Sequence, residues 1–374
     1  MRDKRKPLEP VRTGVLGCGA VSHQYLPVIR RLSNLEVVAV ADTVPERAEE
    51  VCAEFGIPES TSPDELIESS RVELVVNLTP IPNHFETTAA ALDAGKHVYS
   101  EKSLAMTSED ARKLLELSVE RKLVLGCAPD TLLGCGFSAA RHAIERGDIG
   151  TPLVASGLML RAPLTAFPGV ADGTLPLYDM APYYLTAMVD LFGPAQRVVA
   201  FYDDRSTASS GTGGGRDVVA ASASVEFSTL VAQLSFVWGT SQRQELPFVS
   251  VFGTDGEVRL SNPNAFDGPA ILRRYSEGEC RELPDSKQEA TLPANLRGLG
   301  VADAARAIRD RRPPRASAEV AAHVVDLIDC IVLSARSGRR VEVTTRCAPP
   351  AALSDGERSE LLDGLLVTSG GEGQ

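Results

Sequence analysis

The sequence predicts an α/β protein with a doubly wound parallel sheet in its first third and a second, β-rich domain. Strand-like and helix-like segments alternate from residue 11 to residue 126, which is typical of a parallel sheet covered by helices. The alternation ends near Ala128, and from Val218 onward the segments become mainly strand-like. Because 374 residues exceed what one core usually holds, we expect two domains.

Composition and charge narrow the function classes. The chain is 43% hydrophobic and 24% charged, as in soluble globular proteins, and its net charge of -12 argues against binding nucleic acid or an anionic membrane. No apolar run is long enough to span a bilayer, and residues 1–10 lack the apolar segment of a secretory signal. The seven cysteines form no Cys-x-x-Cys pair, so we expect a reduced, cytoplasmic protein without a disulfide framework.

The first predicted strand, residues 11–16, runs into a glycine-rich turn. This turn is Gly17-Cys18-Gly19-Ala20-Val21-Ser22, and a helix pattern follows to about residue 32. Glycines here let the backbone turn sharply and approach a pyrophosphate, which then sits at the helix N-terminus. Ser22 makes the match to G-x-G-x-x-G/A imperfect, so the evidence comes from the position between a strand and a helix.

The second predicted strand, residues 37–41, ends at Asp42. This aspartate follows Ser22 by 20 residues, the spacing expected for an acid that binds an adenosine ribose. Its charge would repel a 2′-phosphate by roughly 4 kcal/mol at a separation of about 4 Å and an effective dielectric near 20. Arg47 lies too far along the next helix to offset this, so Asp42 favours NAD, and NADP is less favoured.

The remaining elements of the first domain follow the same alternation. We predict strands at residues 72–78, 96–99 and 123–126, with helices at residues 83–94 and 107–121 and Asn83 as an N-cap. Ligands of doubly wound sheets bind at the carboxyl ends of the strands. The residues at these ends are Gly17, Asp42, Thr79, Lys102 and Ala128.

Lys102 follows the strand predicted at residues 96–99 and lies beside Glu101 in a turn. A lysine fixed at this place can donate a proton to a substrate oxygen, whereas the alternative is an ordinary solvated charge. Its position at the ligand-binding edge of the sheet favours the catalytic interpretation.

The second half of the chain is predicted to mix helices with a two-faced sheet. Apolar residues alternate from Leu230 to Trp238, and Asp255-Gly256 joins two strands, residues 248–252 and 258–260, as a hairpin turn. A strand at residues 153–160 and helices at residues 137–146, 179–191, 300–311 and 316–337 complete the prediction. We expect a substrate-pocket loop at residues 161–174, a mobile Gly- and Ser-rich loop at residues 205–216, and a loose acidic tail from Ser354.

Four motifs together resemble the glucose-fructose oxidoreductase, inositol dehydrogenase and MocA (Gfo/Idh/MocA) family over residues 11–348. They are Gly14-Val-Leu-Gly-Cys-Gly-Ala20, Thr79-Pro-Ile-Pro-Asn-His84, the segment of residues 94–102 ending in Glu101-Lys102, and the segment of residues 173–185. The resemblance implies a Rossmann domain at residues 11–128 and a substrate-binding and oligomerisation domain at residues 129–348, flanked by flexible ends at residues 1–10 and 349–374. It further implies a large, open, mostly antiparallel C-terminal sheet that forms homodimers or homotetramers.

The resemblance also assigns roles to residues. Lys102 matches the family lysine and Asp179 the family aspartate, whereas Tyr183 stands where the family usually has histidine, with Tyr184 beside it as an alternative. Ser103 replaces the family proline, so either Lys102 is aimed differently or a non-proline cis bond is required. His84 fits a local structural contact better than catalysis. The candidate cofactor-binding residues are Gly17, Gly19, Ala20, Val21, Asp42, Thr79, Pro80, Asn83, His84, Glu101 and Lys102.

These observations predict an NAD-dependent oxidoreductase that acts on a secondary hydroxyl or ketone of a sugar-like or cyclitol-like substrate. Lys102 and Tyr183 would handle the alcohol proton and Asp179 a substrate hydroxyl. The histidines are scattered, so no metal site is expected. Two alternatives stay open: a redox-neutral enzyme that retains NAD for epimerisation or elimination, and a non-catalytic protein that senses a nucleotide or sugar.

Overall fold

The computed structural model describes residues 9–161, 175–207, 216–239, 248–283 and 295–365. Within these ranges the chain forms two sheets with helices packed on them, as the sequence predicts for an α/β protein. The predicted substrate-pocket loop lies outside the described residues except for Arg161, which ends a strand.

The first sheet has six parallel strands in the order β3-β2-β1-β4-β5-β6. Its order reverses between β1 and β4, which is where ligands of doubly wound sheets bind. The strands are β1 (Val11–Leu16), β2 (Leu35–Ala41), β3 (Ser60–Thr61), β4 (Leu74–Asn77), β5 (His97–Ser100) and β6 (Leu125–Cys127).

Five helices connect these strands, and the fourth and fifth correspond to the helices predicted at residues 83–94 and 107–121. The Thr107 side chain accepts a hydrogen bond from the Asp110 main-chain N–H, which starts the predicted fifth helix. Asn83 occupies the predicted N-cap position of the fourth helix, but its side chain makes no capping bond and a short 3₁₀ helix, Ile81–Asn83, precedes that helix. The helices are α1 (Ser22–Ile29), α2 (Pro45–Phe55), α3 (Pro63–Glu68), α4 (His84–Asp93) and α5 (Ser108–Arg121).

The second sheet has nine strands in the order β14-β13-β12-β11-β7-β10-β9-β8-β15. Only its central pair, β7 and β10, is parallel, so the expected mostly antiparallel sheet is confirmed. The strands are β7 (Pro152–Arg161), β8 (Arg197–Thr207), β9 (Arg216–Glu226), β10 (Val231–Trp238), β11 (Val249–Gly253), β12 (Gly256–Leu260), β13 (Ala270–Arg274), β14 (Cys280–Leu283) and β15 (Val341–Glu342).

Alternation along β10 separates a covered face from an open face. Ala232, Leu234, Phe236 and Trp238 are buried, and the Phe236 ring packs edge-on against Tyr184 of the neighbouring helix. Two further predictions concern this domain. The hairpin was correct, since β11 and β12 pair antiparallel across Asp255 and Gly256. The Gly- and Ser-rich loop was predicted too long, because β8 continues to Thr207 and β9 begins at Arg216.

The helices of the second half form two groups. The helices are α6 (Cys135–Glu145), α7 (Leu175–Phe192), α8 (Leu299–Asp310), α9 (Ala318–Ser337) and α10 (Asp355–Leu361), with a 3₁₀ turn at Thr131–Leu133. Helices α6, α7 and α9 pack on this sheet, whereas α8 and α10 pack against the first domain. Helix α7 begins four residues before the predicted start at Asp179, and almost every described side chain on it is buried. No helix of the described ranges is long and apolar enough to cross a bilayer.

The predicted loose tail was wrong for the residues up to 365. The Ser354 side chain accepts a hydrogen bond from the Glu357 N–H, and the Glu357 carboxylate accepts one from the Ser354 N–H. This capping box starts α10, and Leu361 and Leu365 then pack into the core of the first domain. The sequence signal Ser-x-x-Glu before paired leucines was therefore present. Residues 1–8 and 366–374 lie outside the described ranges.

Candidate active site

The glycine-rich turn between β1 and α1 leaves open space at the N-terminus of the helix. Gly17 has a positive φ of 96°, and a Cβ on it would lie 2.7 Å from the Leu78 backbone. A Cβ on Gly19 would meet nothing within 4 Å. The Ser22 hydroxyl donates to the Gly19 carbonyl at 2.6 Å. The serine at the third motif position therefore forms a hydrogen bond within the turn.

Asp42 is held beside this turn at the carboxyl end of β2. One carboxylate oxygen accepts from the Cys18 N–H at 2.8 Å, and the other accepts from the Val44 N–H at 2.9 Å. These bonds fix the position of the charge next to the space above Gly19. Arg47 is exposed on α2.

A cleft of about 410 Å³ opens along the carboxyl ends of β1, β4 and β5. Its walls are mostly apolar, and its ionisable side chains are concentrated where β5 meets α7. Of the remaining candidate cofactor residues, Ala20 and Asn83 are exposed and do not line it. The lining residues are Val21, Leu78, Thr79, Pro80, Ile81, Pro82, His84, Glu101, Lys102 and Asp179.

The structure brings Lys102, Asp179 and Tyr183 together. Lys102 follows β5, whereas Asp179 and Tyr183 are four residues apart on α7 and therefore share one face of that helix. The Lys102 ammonium forms an ion pair with Asp179 and lies 5.4 Å from the centre of the Tyr183 ring. Tyr184 instead packs against Phe236 and donates to the Leu158 carbonyl, so it faces the nine-stranded sheet.

The electrostatics of this group keep both candidate donors protonated near neutral pH. Burial lowers the pKa of Lys102, but the neighbouring Tyr183, Asp179 and Glu101 outweigh it and raise the net pKa above the ordinary value. Burial raises the pKa of the Tyr183 phenol, and the nearby cations Lys102 and Arg297 only partly oppose this effect. The site therefore presents an ammonium and a neutral phenol side by side.

Glu101 stabilises the turn that carries Lys102. It is 7% exposed and accepts from the Tyr25 hydroxyl at 2.6 Å and from the Lys102 main-chain N–H at 3.0 Å. Tyr25 was not found by sequence analysis, because a tyrosine on the buried face of α1 resembles any core aromatic.

His84 connects the two loops that form one end of the cleft. It is 1% exposed, and its ring nitrogens lie 2.6 Å from the Ser103 carbonyl oxygen and 2.7 Å from the Thr79 carbonyl oxygen. Burial lowers its pKa, although both carbonyls oppose this effect. The geometry agrees with the expected local structural contact. The Lys102–Ser103 bond is cis, the second of the two alternatives for Ser103, and the Ser103 hydroxyl donates to the Tyr178 carbonyl.

Arg297 is a second residue that sequence analysis missed. It lies just before α8, where its guanidinium donates to the side chains of Asn264 and Asn295, and its charge partly opposes the effect of burial on the pKa of Tyr183. No helical or strand-like period surrounds it, so no pattern in the sequence distinguishes it from the other arginines. Among the described residues, no group of three or more His, Cys, Asp or Glu side chains is arranged to hold a metal.

Two family models match the chain. Residues 11–128 match the family model GFO_IDH_MocA, described as the oxidoreductase family with an NAD-binding Rossmann fold. Residues 141–343 match the model of the same family's C-terminal alpha/beta domain.

Curated relatives are similar to part of this chain. A 1,5-anhydro-D-fructose reductase from Ensifer adhaerens is 37% identical over 145 residues, and an inositol 2-dehydrogenase from Pseudomonas fluorescens is 35% identical over 153 residues. Each match covers 38% of this chain and 44% of the relative. The fold resembles that of a levoglucosan dehydrogenase solved with NADH and levoglucosan, with a TM-score of 0.73, 21% identity, and coverage of 90% of this chain and 100% of that one.

Proposed function

The chain belongs to the Gfo/Idh/MocA family of oxidoreductases, and on this premise we propose that it is an NAD-dependent oxidoreductase. Its substrate is a secondary alcohol or ketone on a sugar-like or cyclitol-like ring. The observation that carries this proposal is the ion pair of Lys102 and Asp179, with the Tyr183 ring beside Lys102, in the wall of a cleft that also reaches Val21 of the glycine-rich turn. The names of the curated relatives, which refer to an anhydro sugar and to inositol, support a cyclic polyol substrate.

The glycine turn and Asp42 are suited to hold the dinucleotide. The open space at Gly19 admits a pyrophosphate at the N-terminus of α1. The Asp42 carboxylate, fixed by its two main-chain bonds, would accept hydrogen bonds from the ribose hydroxyls. The same negative charge disfavours a 2′-phosphate, which makes NAD the expected cofactor in preference to NADP.

The proton chemistry belongs to the residues at the far end of the cleft. When bound, the nicotinamide supplies or accepts the hydride. Lys102 and Tyr183 both hold their protons at neutral pH, so either can donate to the oxygen of a ketone substrate. Asp179 orients the Lys102 ammonium and, at 20% side-chain exposure, can also accept a bond from a substrate hydroxyl.

Two measurements on the purified full chain test the proposal. Mass analysis of nucleotide released on denaturation shows whether a nicotinamide cofactor copurifies and in which redox state. A panel of polyols, cyclitols, sugars and ketosugars, followed by NADH absorbance, should reveal a substrate. Product formation without a net absorbance change would favour the redox-neutral alternative, and nucleotide or sugar binding without any turnover would favour the sensor.

A further inference from the structure

The start of helix α7 is bonded to the turn that carries Lys102. The Ser103 side chain is buried, and its hydroxyl donates to the Tyr178 main-chain carbonyl at 2.8 Å. Ser103 is next to Lys102 in sequence, and Tyr178 is next to Asp179. This hydrogen bond and the ion pair between Lys102 and Asp179 therefore join the same two segments side by side, one residue apart.

The donor that a regular helix would offer to the Tyr178 carbonyl is missing. In an α-helix this carbonyl would accept from the N–H four residues further on, at position 182. That position is Pro182, inside α7, and proline has no N–H. An unpaired buried carbonyl is destabilising, and the Ser103 hydroxyl supplies a donor in place of the missing N–H. The first turns of α7 thus obtain this hydrogen bond from the other domain.

Both partners of this hydrogen bond are themselves held in place. The Ser103 carbonyl oxygen lies 2.6 Å from a ring nitrogen of His84. The Tyr178 hydroxyl donates to Asp329 of α9, and the other oxygen of that carboxylate accepts from the Ser108 N–H of α5 at 2.7 Å. The two ends of the bond therefore have little freedom to move apart.

We propose that Ser103 is a positioning residue that holds Asp179 in place for its ion pair with Lys102. Its hydroxyl takes the place of the helical donor that Pro182 lacks, on the peptide group that leads directly into Asp179. A proline at position 103, as in the family motif, would offer no hydroxyl. This inference rests on the proposed function, because it assumes that the ion pair acts on the substrate. Ser103 touches neither substrate nor cofactor in this scheme and acts through Asp179.

The test measures how firmly Asp179 holds the Lys102 ammonium, without cofactor or substrate. Trace acetylation of the purified full chain at about pH 8, quantified by mass spectrometry, gives the reactivity of Lys102 relative to the exposed Lys122 in the same sample. Only the uncharged amine reacts, and the ion pair keeps Lys102 charged, so a displaced Asp179 makes this lysine more reactive. Ser103→Ala should therefore raise the relative reactivity of Lys102 about threefold or more, and Asp179→Asn sets the upper limit.

Matched variants isolate the contribution of the hydroxyl. Ser103→Thr keeps the hydroxyl and should leave the reactivity of Lys102 unchanged. Ser118→Ala removes a similarly buried hydroxyl, which donates to the Leu115 carbonyl at 2.8 Å on α5, and should also leave Lys102 unchanged. In a Pro182→Ala background the helix regains its N–H, so Ser103→Ala should have a smaller effect there than in the unaltered chain.

Unchanged reactivity of Lys102 in Ser103→Ala would overturn the inference, and so would an equal rise in Ser118→Ala or an undiminished effect in the Pro182→Ala background. If Ser103→Ala does not fold, Ser103→Cys, which has only a weak donor, takes its place. Once a substrate is known, Ser103→Ala should lower kcat by about tenfold or more, whereas Ser118→Ala should not. Raised reactivity of Lys102 in a protein that turns over no compound of the NADH-linked panel would support the placement of Asp179 but refute the proposed function, so the two failures are distinguishable.

Discussion

Lys102 and Asp179 form an ion pair although they are 77 residues apart and belong to different domains. Their side chains are only 11% and 20% exposed, so removing either partner would leave the other charge partly buried and without its ion pair. The pair therefore joins the end of β5 to the second turn of α7 at the far end of the cleft.

We predict that NAD binds ahead of NADP and that Asp42 is the cause. Asp42→Asn should lower the ratio of NAD affinity to NADP affinity at least about tenfold, because the charge that repels a 2′-phosphate is removed. The amide oxygen can still accept a hydrogen bond from one main-chain N–H. Calorimetry with both cofactors measures the ratio, and Asp64→Asn, an exposed change on α3, is the control. Equal affinities in the unaltered protein would rule out this role for Asp42.

We predict a homodimer or homotetramer built on the open face of the nine-stranded sheet. Phe201 on β8 is 76% exposed there, and Val199, Val154 and Val231 add further exposed apolar surface. Phe201→Asp should therefore shift the protein toward smaller species in light scattering at micromolar concentration. Val119→Asp is a matched control, since Val119 is also 76% exposed but lies on α5. A monomer before any substitution would contradict the prediction.

We predict an acid-sensitive contribution to stability from His323. This ring is fully buried, with one nitrogen accepting from the Ala195 N–H at 2.9 Å and the other 2.8 Å from the Thr345 hydroxyl. Burial lowers its pKa from 6.5 to about 4. Between these values the unfolded chain binds more protons than the folded protein, so stability falls as pH falls through this window.

The size of this effect can be isolated with two variants. From pH 7 to pH 4.5 the histidine should account for about 2 kcal/mol of lost unfolding free energy. The His323→Gln variant, whose side chain can still accept from the Ala195 N–H, should lose correspondingly less unfolding free energy between pH 7 and pH 4.5, as measured by urea titrations. His142→Gln, a partly exposed histidine on α6, should behave as the unaltered protein does. Equal losses in all three proteins would disprove the assignment.

Local patterns made most of the fold predictable. The glycine turn, the Asp42 spacing and the Asp255-Gly256 hairpin each depend on residues close in sequence, and the structure contains all three elements. Helix α10 was not predicted, because the Gly-rich and acidic composition of this segment indicated a loose tail although the Ser354 capping box was present.

The candidate site was predictable only in part. Lys102, Asp179 and Tyr183 could be named from the family motifs, and the structure places them together. Tyr25 could not, because it reaches the site through a hydrogen bond to Glu101, which is distant in sequence. Arg297 could not either, because only the folding of the chain brings its charge near Tyr183. Hydrophobic period and spacing describe a residue's own element, and they carry no information about which remote side chain lies opposite.

The central claim is that Lys102 and Tyr183 handle the substrate proton as one unit, and steady-state kinetics on a substrate from the NADH-linked panel test it most directly. Lys102→Met and Tyr183→Phe should each lower kcat by about 10²- to 10⁴-fold while NAD affinity changes little, and the double variant should fall less than the product of the two. Full turnover in both single variants would contradict the account.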